Sequence, residues 1–153
     1  MRRLIAFAVF TLVIVGCQGE SSPTGTDGVV AFTNVYKAQV SGVASRRGEV
    51  ISQASRWAEI WTSIASGPPP SVNLDESLLI FVAGGDLSSC SDFKVNTVRR
   101  VSGELRIDVV EERRTANCAC PAIVARPVHV VSVPRAATGA AFEFRIVNVS
   151  GCP

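Results

Sequence analysis

The chain has 153 residues, with 15 lysines and arginines against 13 aspartates and glutamates, and 47% of its residues are hydrophobic. This length suits one domain, and the small net charge of +2 is matched by two arginines at the extreme N-terminus. Nucleic-acid binding is therefore not expected, because it normally needs clustered lysines and arginines.

The N-terminus has the pattern of an export signal. Arg2 and Arg3 precede an apolar run at residues 4–15. That run is too short to span a hydrocarbon core, which takes about 20 helical residues. It ends in Ile-Val-Gly-Cys, which resembles the bacterial lipobox, whose cysteine is acylated and becomes the new N-terminus. We predict that residues 1–16 are a signal peptide and that Cys17 carries the lipid, which anchors the protein to a membrane; an ordinary cleaved signal is the alternative.

The next segment predicts a flexible tether. Residues 17–28 follow the signal with glycine, serine, threonine and proline and no large apolar side chain. Gln18 replaces the aspartate that signals inner-membrane retention in enterobacterial lipoproteins. That resemblance implies the periplasmic face of the outer membrane, or the cell surface, rather than the inner membrane. Residues 29–153 are then a single domain.

The first half of this domain predicts strands and one helix. Residues 29–40 and 48–52 have strand character. Ser52 is the expected N-cap of the helix, and Gly67 with the prolines at 68–70 is expected to end it. One face of the helix is apolar and is expected to plug a core. Its residues are Ala54, Trp57, Ala58, Trp61, Ile64 and Ala65.

The second half predicts strands only. Residues 78–83 are continuously apolar, as in a strand buried on both faces. Residues 93–101 and 104–112 alternate around Ser102-Gly103, which predicts a tight hairpin. Residues 128–134 and 142–149 are expected to form another pair. The predicted fold class is α+β, a mostly antiparallel, sandwich-like β domain with one tryptophan-bearing amphipathic helix.

Catalytic chemistry is not indicated. His129 is the only histidine, and its valine neighbours favour a structural role in a strand. The pairs Asp75-Glu76 and Glu111-Glu112 are expected on solvated edges. Neither an enzyme activity nor a cofactor is predicted.

Four cysteines follow Cys17 in the chain, at positions 90, 118, 120 and 152. In an exported protein an even number predicts two disulfides. Extending the two predicted strand pairs brings Cys90 towards Cys118 and Cys120 towards Cys152, which is the expected pairing. The alternative is a thiol-redox or metal-binding protein that uses Cys118-Ala-Cys120.

The order of these elements resembles the C-terminal domain of the PrcB protease-complex subunit family. The resemblance covers residues 41–135 and lies in the tryptophan-bearing helix, the proline-rich break, the buried strand with two glycines, and the late Arg-Pro-Val-His-Val-Val-Ser-Val-Pro-Arg stretch. Residues 84–93 differ from the Gly-Gly-Tyr turn of that family. The resemblance implies a non-enzymatic accessory domain that associates with a protein partner, such as a protease complex. Residues 84–92 and 113–127 are the predicted contact loops.

Overall fold

The structure is a computed structural model that describes residues 27–114, 119–135 and 139–150. The predicted signal peptide, the predicted lipid site Cys17 and most of the predicted tether lie outside these residues. No helix in the described ranges has the length and apolar character needed to cross a membrane.

The described residues form one α-helix and ten β-strands. The helix, α1, spans Ala54–Ile64. The strands are β1 (Gly28–Val29), β2 (Thr33–Ala38), β3 (Arg47–Ile51), β4 (Ser77–Ala83), β5 (Leu87–Ser88), β6 (Ser91–Val101), β7 (Glu104–Arg114), β8 (Val124–Ala125), β9 (Val128–Pro134) and β10 (Gly139–Val149). The predicted β-rich α+β class is confirmed.

Three sheets organise the strands. The first sheet has the order β1-β6-β7-β10, the second has the order β2-β9-β4-β3, and a small third sheet pairs β5 with β8. All pairs are antiparallel except β7 with β10, which run parallel.

The predicted hairpin around Ser102-Gly103 is confirmed. Both turn residues have positive φ, 52° and 82°, as the tight turn between twisted strands requires. Val101 pairs with Glu104, and the register continues to Thr97 and Asp108 before a bulge shifts it at Asn96. Beyond the bulge, the pairing of β6 with β7 is shifted by one residue relative to a regular hairpin.

The predicted pairing of residues 128–134 with 142–149 is wrong. Strand β9 lies between β2 and β4, so both of its edges are already hydrogen-bonded and neither can accept β10. Strand β10 instead joins the first sheet, where Gly139 pairs with Glu104 and Phe144 with Val109.

Strand β4 is buried on both faces, as predicted. Leu79, Phe81 and Ala83 contact a cluster that includes the helix, whereas the alternating residues contact side chains of the first sheet. The second cluster combines Leu78, Ile80, Val82, Val131 and Val133 with Phe93, Val95, Val98, Leu105, Ile107 and Val109. The second sheet therefore has the helix on one face and residues of the first sheet on the other.

The helix packs through its tryptophans, although its bounds differ from the prediction. Gln53, not Ser52, is the N-cap residue, and the helix ends at Ile64, before Gly67. Its buried residues are Trp57, Ile60, Trp61 and Ile64, whereas the predicted Ala54 and Ala58 are exposed. The indole N–H groups of Trp57 and Trp61 donate to the carbonyls of Pro70 and Gly67, at 3.1 and 2.9 Å. These bonds attach the proline-rich segment to the helix, so the pair is structural.

Candidate functional site

A disulfide joins two surface loops at one end of the domain. Cys90 bonds to Cys120, with their Cα atoms 5.6 Å apart. Strand β5 of the first loop pairs with β8 of the second, with Leu87 opposite Ala125. The Ser89 hydroxyl also donates to the carbonyl of Pro121 at 2.6 Å. We call residues 84–92 and 119–127 the linked-loop site.

The predicted pairing of Cys90 with Cys118 is wrong, and so is that of Cys120 with Cys152, because Cys120 is bonded to Cys90. The physical reason is the short β5–β8 ladder, which brings the segment around Cys120 back along the first loop. The supposed β9–β10 pair, which would have directed Cys152 towards this region, does not form. Cys118 and Cys152 themselves lie outside the described residues.

The base of the linked-loop site is attached to the second sheet and its neighbours. The backbone N–H of Gly84 donates to Pro127 at 2.9 Å. Arg126 pairs with Asp86 at 2.7 Å, and its backbone carbonyl accepts the Ser41 hydroxyl at 2.9 Å. The two loops are therefore fixed to each other and to the body of the domain.

The tip of the site exposes apolar side chains. Ile123 and Val124 are 62% and 61% exposed, while the next residue, Ala125, is buried. In β8 the alternation of a strand places Ala125 inward and Val124 outward, and Ile123 precedes this strand. Val40, which is 71% exposed, belongs to the neighbouring segment that contacts Arg126. Three apolar side chains thus project to solvent around this end of the molecule.

A cavity of about 320 Å³ lies beside the disulfide. Both half-cystines line it, together with Glu111 and Arg113 of β7. Glu111 was predicted on a solvated edge, but it is only 2% exposed. Glu111 follows the buried residues Leu105, Ile107 and Val109 at alternate positions of β7, so the alternation of the strand could have predicted its burial.

The buried Glu111 carboxylate is neutralised by two arginines. Arg113 Nε donates to Oε1 at 2.5 Å, and Arg46 donates to Oε2. Arg46 also donates to the carbonyl of Gly84 at the base of the linked-loop site. Burial alone would raise the pKa of Glu111, but the hydrogen bonds from Arg113 and Arg46 outweigh it and hold the pKa below its ordinary value. The carboxylate is a structural ion pair under the loops.

His129 lies between the two main sheets rather than in an open site. It is 4% exposed, and its Nδ1 accepts the backbone N–H of Val95 at 3.0 Å. Its Nε2 therefore carries the proton and donates to Asn34 Oδ1 at 2.8 Å. Burial, with a smaller contribution from the nearby Lys37 ammonium, lowers the pKa of His129 to about 4. Both ring nitrogens are used structurally, so the imidazole has no free nitrogen for a nucleophile.

Among the residues that the structure describes, no group of three histidine, cysteine, aspartate or glutamate side chains could hold a metal ion. The linked-loop site is therefore a surface of backbone, apolar tips and ion-paired arginines. Such a surface can bind another macromolecule by shape and by apolar contact. Comparisons with protein-family models, with curated proteins and with solved structures found no match to this chain, so the resemblance to the PrcB family stays a prediction.

Proposed function

We propose that this chain is a non-enzymatic, lipid-anchored accessory protein that binds a protein partner through the linked-loop site. The observation that carries the proposal is the covalent joining of the two loops by Cys90 and Cys120, with Ile123 and Val124 exposed at their tip. The linked-loop site lies within the two contact loops predicted from the sequence, residues 84–92 and 113–127.

Cross-linking favours binding because it limits the entropy that a loop loses when it is ordered in a complex. The β5–β8 ladder and the Ser89 hydrogen bond add to this rigidity. Neighbouring exposed apolar side chains with polar surroundings are typical of a protein contact surface. Asp86, Arg126 and Arg113 provide the polar surroundings here.

The position of the N-terminal segment supports an orientation for this site. Gly28 pairs with Arg100, at the hairpin end of β6, and Asp27 accepts the N–H of Ser102 at 2.8 Å. The linked-loop site includes Ser91, which is the first residue of β6 and lies at the other end of that strand. At about 3.3 Å per residue this separation is roughly 30 Å. A tether from a lipid on Cys17 would then join the domain at the end opposite the site, which leaves the site accessible to a partner.

The partner that we propose is a protease or its complex in the cell envelope, with the outer membrane or cell surface as the location. This step depends on the lipobox and on the resemblance to the PrcB family. The two sheets, which share one apolar cluster, support the sandwich-like form of domain that this proposal assumes.

The test is photo-crosslinking in cells of the native host, with a photoreactive residue at position 123 of the full chain. We expect one defined adduct with a component of a protease complex. A chain that also carries Val124→Asp should give about tenfold less adduct, because a charge replaces an apolar contact.

Val29 provides the matched control. It is 74% exposed and lies in β1, at the opposite end of β6. A photoreactive residue at position 29 should not give the same adduct, and Val29→Asp should leave the adduct from position 123 unchanged. Equal adducts from both positions would contradict a docking role for the linked-loop site.

A further inference from the structure

Strand β10 forms a long, regular edge. It is the last strand of the first sheet in the described part of the chain, and it pairs with β7 without interruption from Gly139 to Val149. The outer edge of such a strand presents unpaired N–H and C=O groups at alternate residues. The edge strands β1, β2 and β3 are shorter, with two, six and five residues.

Natural edge strands are usually protected against pairing by proline, lysine, a bulge or short length. Strand β10 contains neither proline nor lysine, and its register has no bulge, in contrast to β2 and β6. Its only charged residues are Glu143 and Arg145. Apart from these two charges, the strand lacks the features that keep a second strand away.

The inward face of β10 is incompletely covered. Phe142 and Phe144 are half-buried, and Ile146 is 48% exposed. The rings of Phe142 and Phe144 stack with their centroids 6.4 Å apart. Apolar side chains thus continue to the open edge, where an added strand would cover them.

The charges on the outward face are incompletely matched within one chain. The carboxylate of Asp108 in β7 accepts two hydrogen bonds of 2.7 Å from the guanidinium of Arg145. Glu143 lies opposite Asp108, a group of the same charge. Among the described residues the Glu143 carboxylate accepts no hydrogen bond, and Arg145 of the same chain attracts it without a direct contact. The Nη1 group of Arg145 is not used by Asp108, so this guanidinium can bind a second carboxylate.

We propose that β10 pairs antiparallel with β10 of a second copy of this chain, centred on Phe144, so that the first sheets of two copies become one continuous sheet. In this register Glu143 faces Arg145 of the partner subunit, and the reverse pair forms by symmetry. On the other face Phe142 lies opposite Ile146 of the partner subunit. The contact spans residues 140–148.

The charges select this register. In the dimer, the apolar faces of both β10 strands must lie on the same side of the sheet. The two-fold axis must then lie midway between the two copies of one β10 residue, so each register is defined by its central residue. Centring on Glu143 would place the two Glu143 side chains opposite each other, and centring on Arg145 would do the same with the arginines. Like charges opposite each other destabilise a strand pair, whereas opposite charges stabilise it. Centring on Phe144 alone gives two ion pairs.

The test is sedimentation equilibrium of the full-length protein in a non-ionic detergent, with Glu143→Arg as the diagnostic variant. Asp108 of the same chain lies opposite position 143, so the arginine has a carboxylate neighbour in the monomer. Across the dimer contact it meets Arg145, so the dimer dissociation constant should rise by about tenfold or more. The double variant Glu143→Arg/Arg145→Glu reverses both charges and should restore the dimer.

Asp75→Arg gives the same change of charge on an exposed loop and should leave the dissociation constant unchanged. Hydrogen exchange gives a readout that needs no variant, since amides within residues 140–148 should become protected as the concentration of the wild-type protein rises. A wild-type protein that stays monomeric at its highest soluble concentration would overturn the proposal. A dimer that Glu143→Arg leaves intact, or that the double variant fails to restore, would also overturn it.

Discussion

His129 stabilises the contact between the two main sheets only while it is neutral. Its Nδ1 accepts the N–H of Val95 beside the β6 bulge, and a proton on Nδ1 would break this bond. The folded pKa of His129 is about 4, below the ordinary value near 6.5. Stability should therefore be full above about pH 6.5 and decrease as the pH falls towards 4, because the unfolded chain binds a proton that the folded protein excludes.

Between about pH 7 and about pH 5, this effect should lower the free energy of unfolding by up to about 2 kcal/mol. Urea unfolding at the two pH values measures it. His129→Asn keeps an acceptor near the Val95 N–H and removes the titrating ring. This variant should be less stable at neutral pH, but its free energy of unfolding should no longer decrease between about pH 7 and about pH 5 through this effect. If the variant kept the pH dependence of the wild-type protein, a group other than His129 would be responsible for that dependence.

Glu111 shows what a residue pattern can and cannot predict. The alternation of β7 indicates an inward position, but a buried carboxylate needs a neutralising partner, and the partner Arg46 lies far away in the chain. No local pattern reports that the chain brings Arg46 to this position. The burial of Glu111 could be predicted from β7 alone, whereas its ion pair with Arg46 could not.

At the scale of strands, the local elements could be predicted and their distant neighbours could not. The β6–β7 hairpin follows from a two-residue turn and two alternating runs, all within one short segment. Strand β10 has a similar run, but alternation reports only which face is buried and not which strand lies beside it. Proximity in sequence favoured β9 as its partner, and tertiary pairing with β7 overrode that preference.

The placement of β10 beside the edge of the second sheet can be tested at its contact with β3. A methyl group added at Gly48 would lie 2.3 Å from the ring of Phe142, which is too close unless the ring or the backbone moves. Gly48→Ala should therefore lower the free energy of unfolding by about 1–3 kcal/mol. In a Phe142→Ala background the same change should cost little, because the ring is absent. A double-mutant cycle from urea unfolding measures the coupling.

If Gly48 did not contact Phe142, Gly48→Ala would not be expected to lower the free energy of unfolding. Alanine in a strand loses less backbone entropy than glycine, so the substitution would then be neutral or stabilising. The absence of coupling between Gly48 and Phe142 would contradict the placement of β10 beside the edge of the second sheet.

At the scale of the whole molecule, the pairing of the cysteines follows from how the strands of the first sheet end. Cys90–Cys120 leaves Cys118 and Cys152 as the remaining pair in the predicted domain. Strands β7 and β10 run parallel and end side by side, with Arg114 paired to Val149. Cys118 is four residues beyond Arg114, and Cys152 is three residues beyond Val149. The last described residues of the two strands are therefore neighbours, with each cysteine only three or four residues further along the sequence, so we expect a second disulfide between Cys118 and Cys152.

Mass spectrometry of the unreduced, denatured protein should then find no alkylated thiol at these four positions. Partial reduction followed by fragmentation between Cys118 and Cys120 should assign Cys90 to Cys120 and Cys118 to Cys152. Cys90→Ser with Cys120→Ser should lower the free energy of unfolding by about 2–4 kcal/mol, because this bond closes a sequence separation of 30 residues. A thiol-redox or metal-binding role for Cys118-Ala-Cys120 requires the opposite result, with titratable thiols or bound metal in protein purified from the envelope.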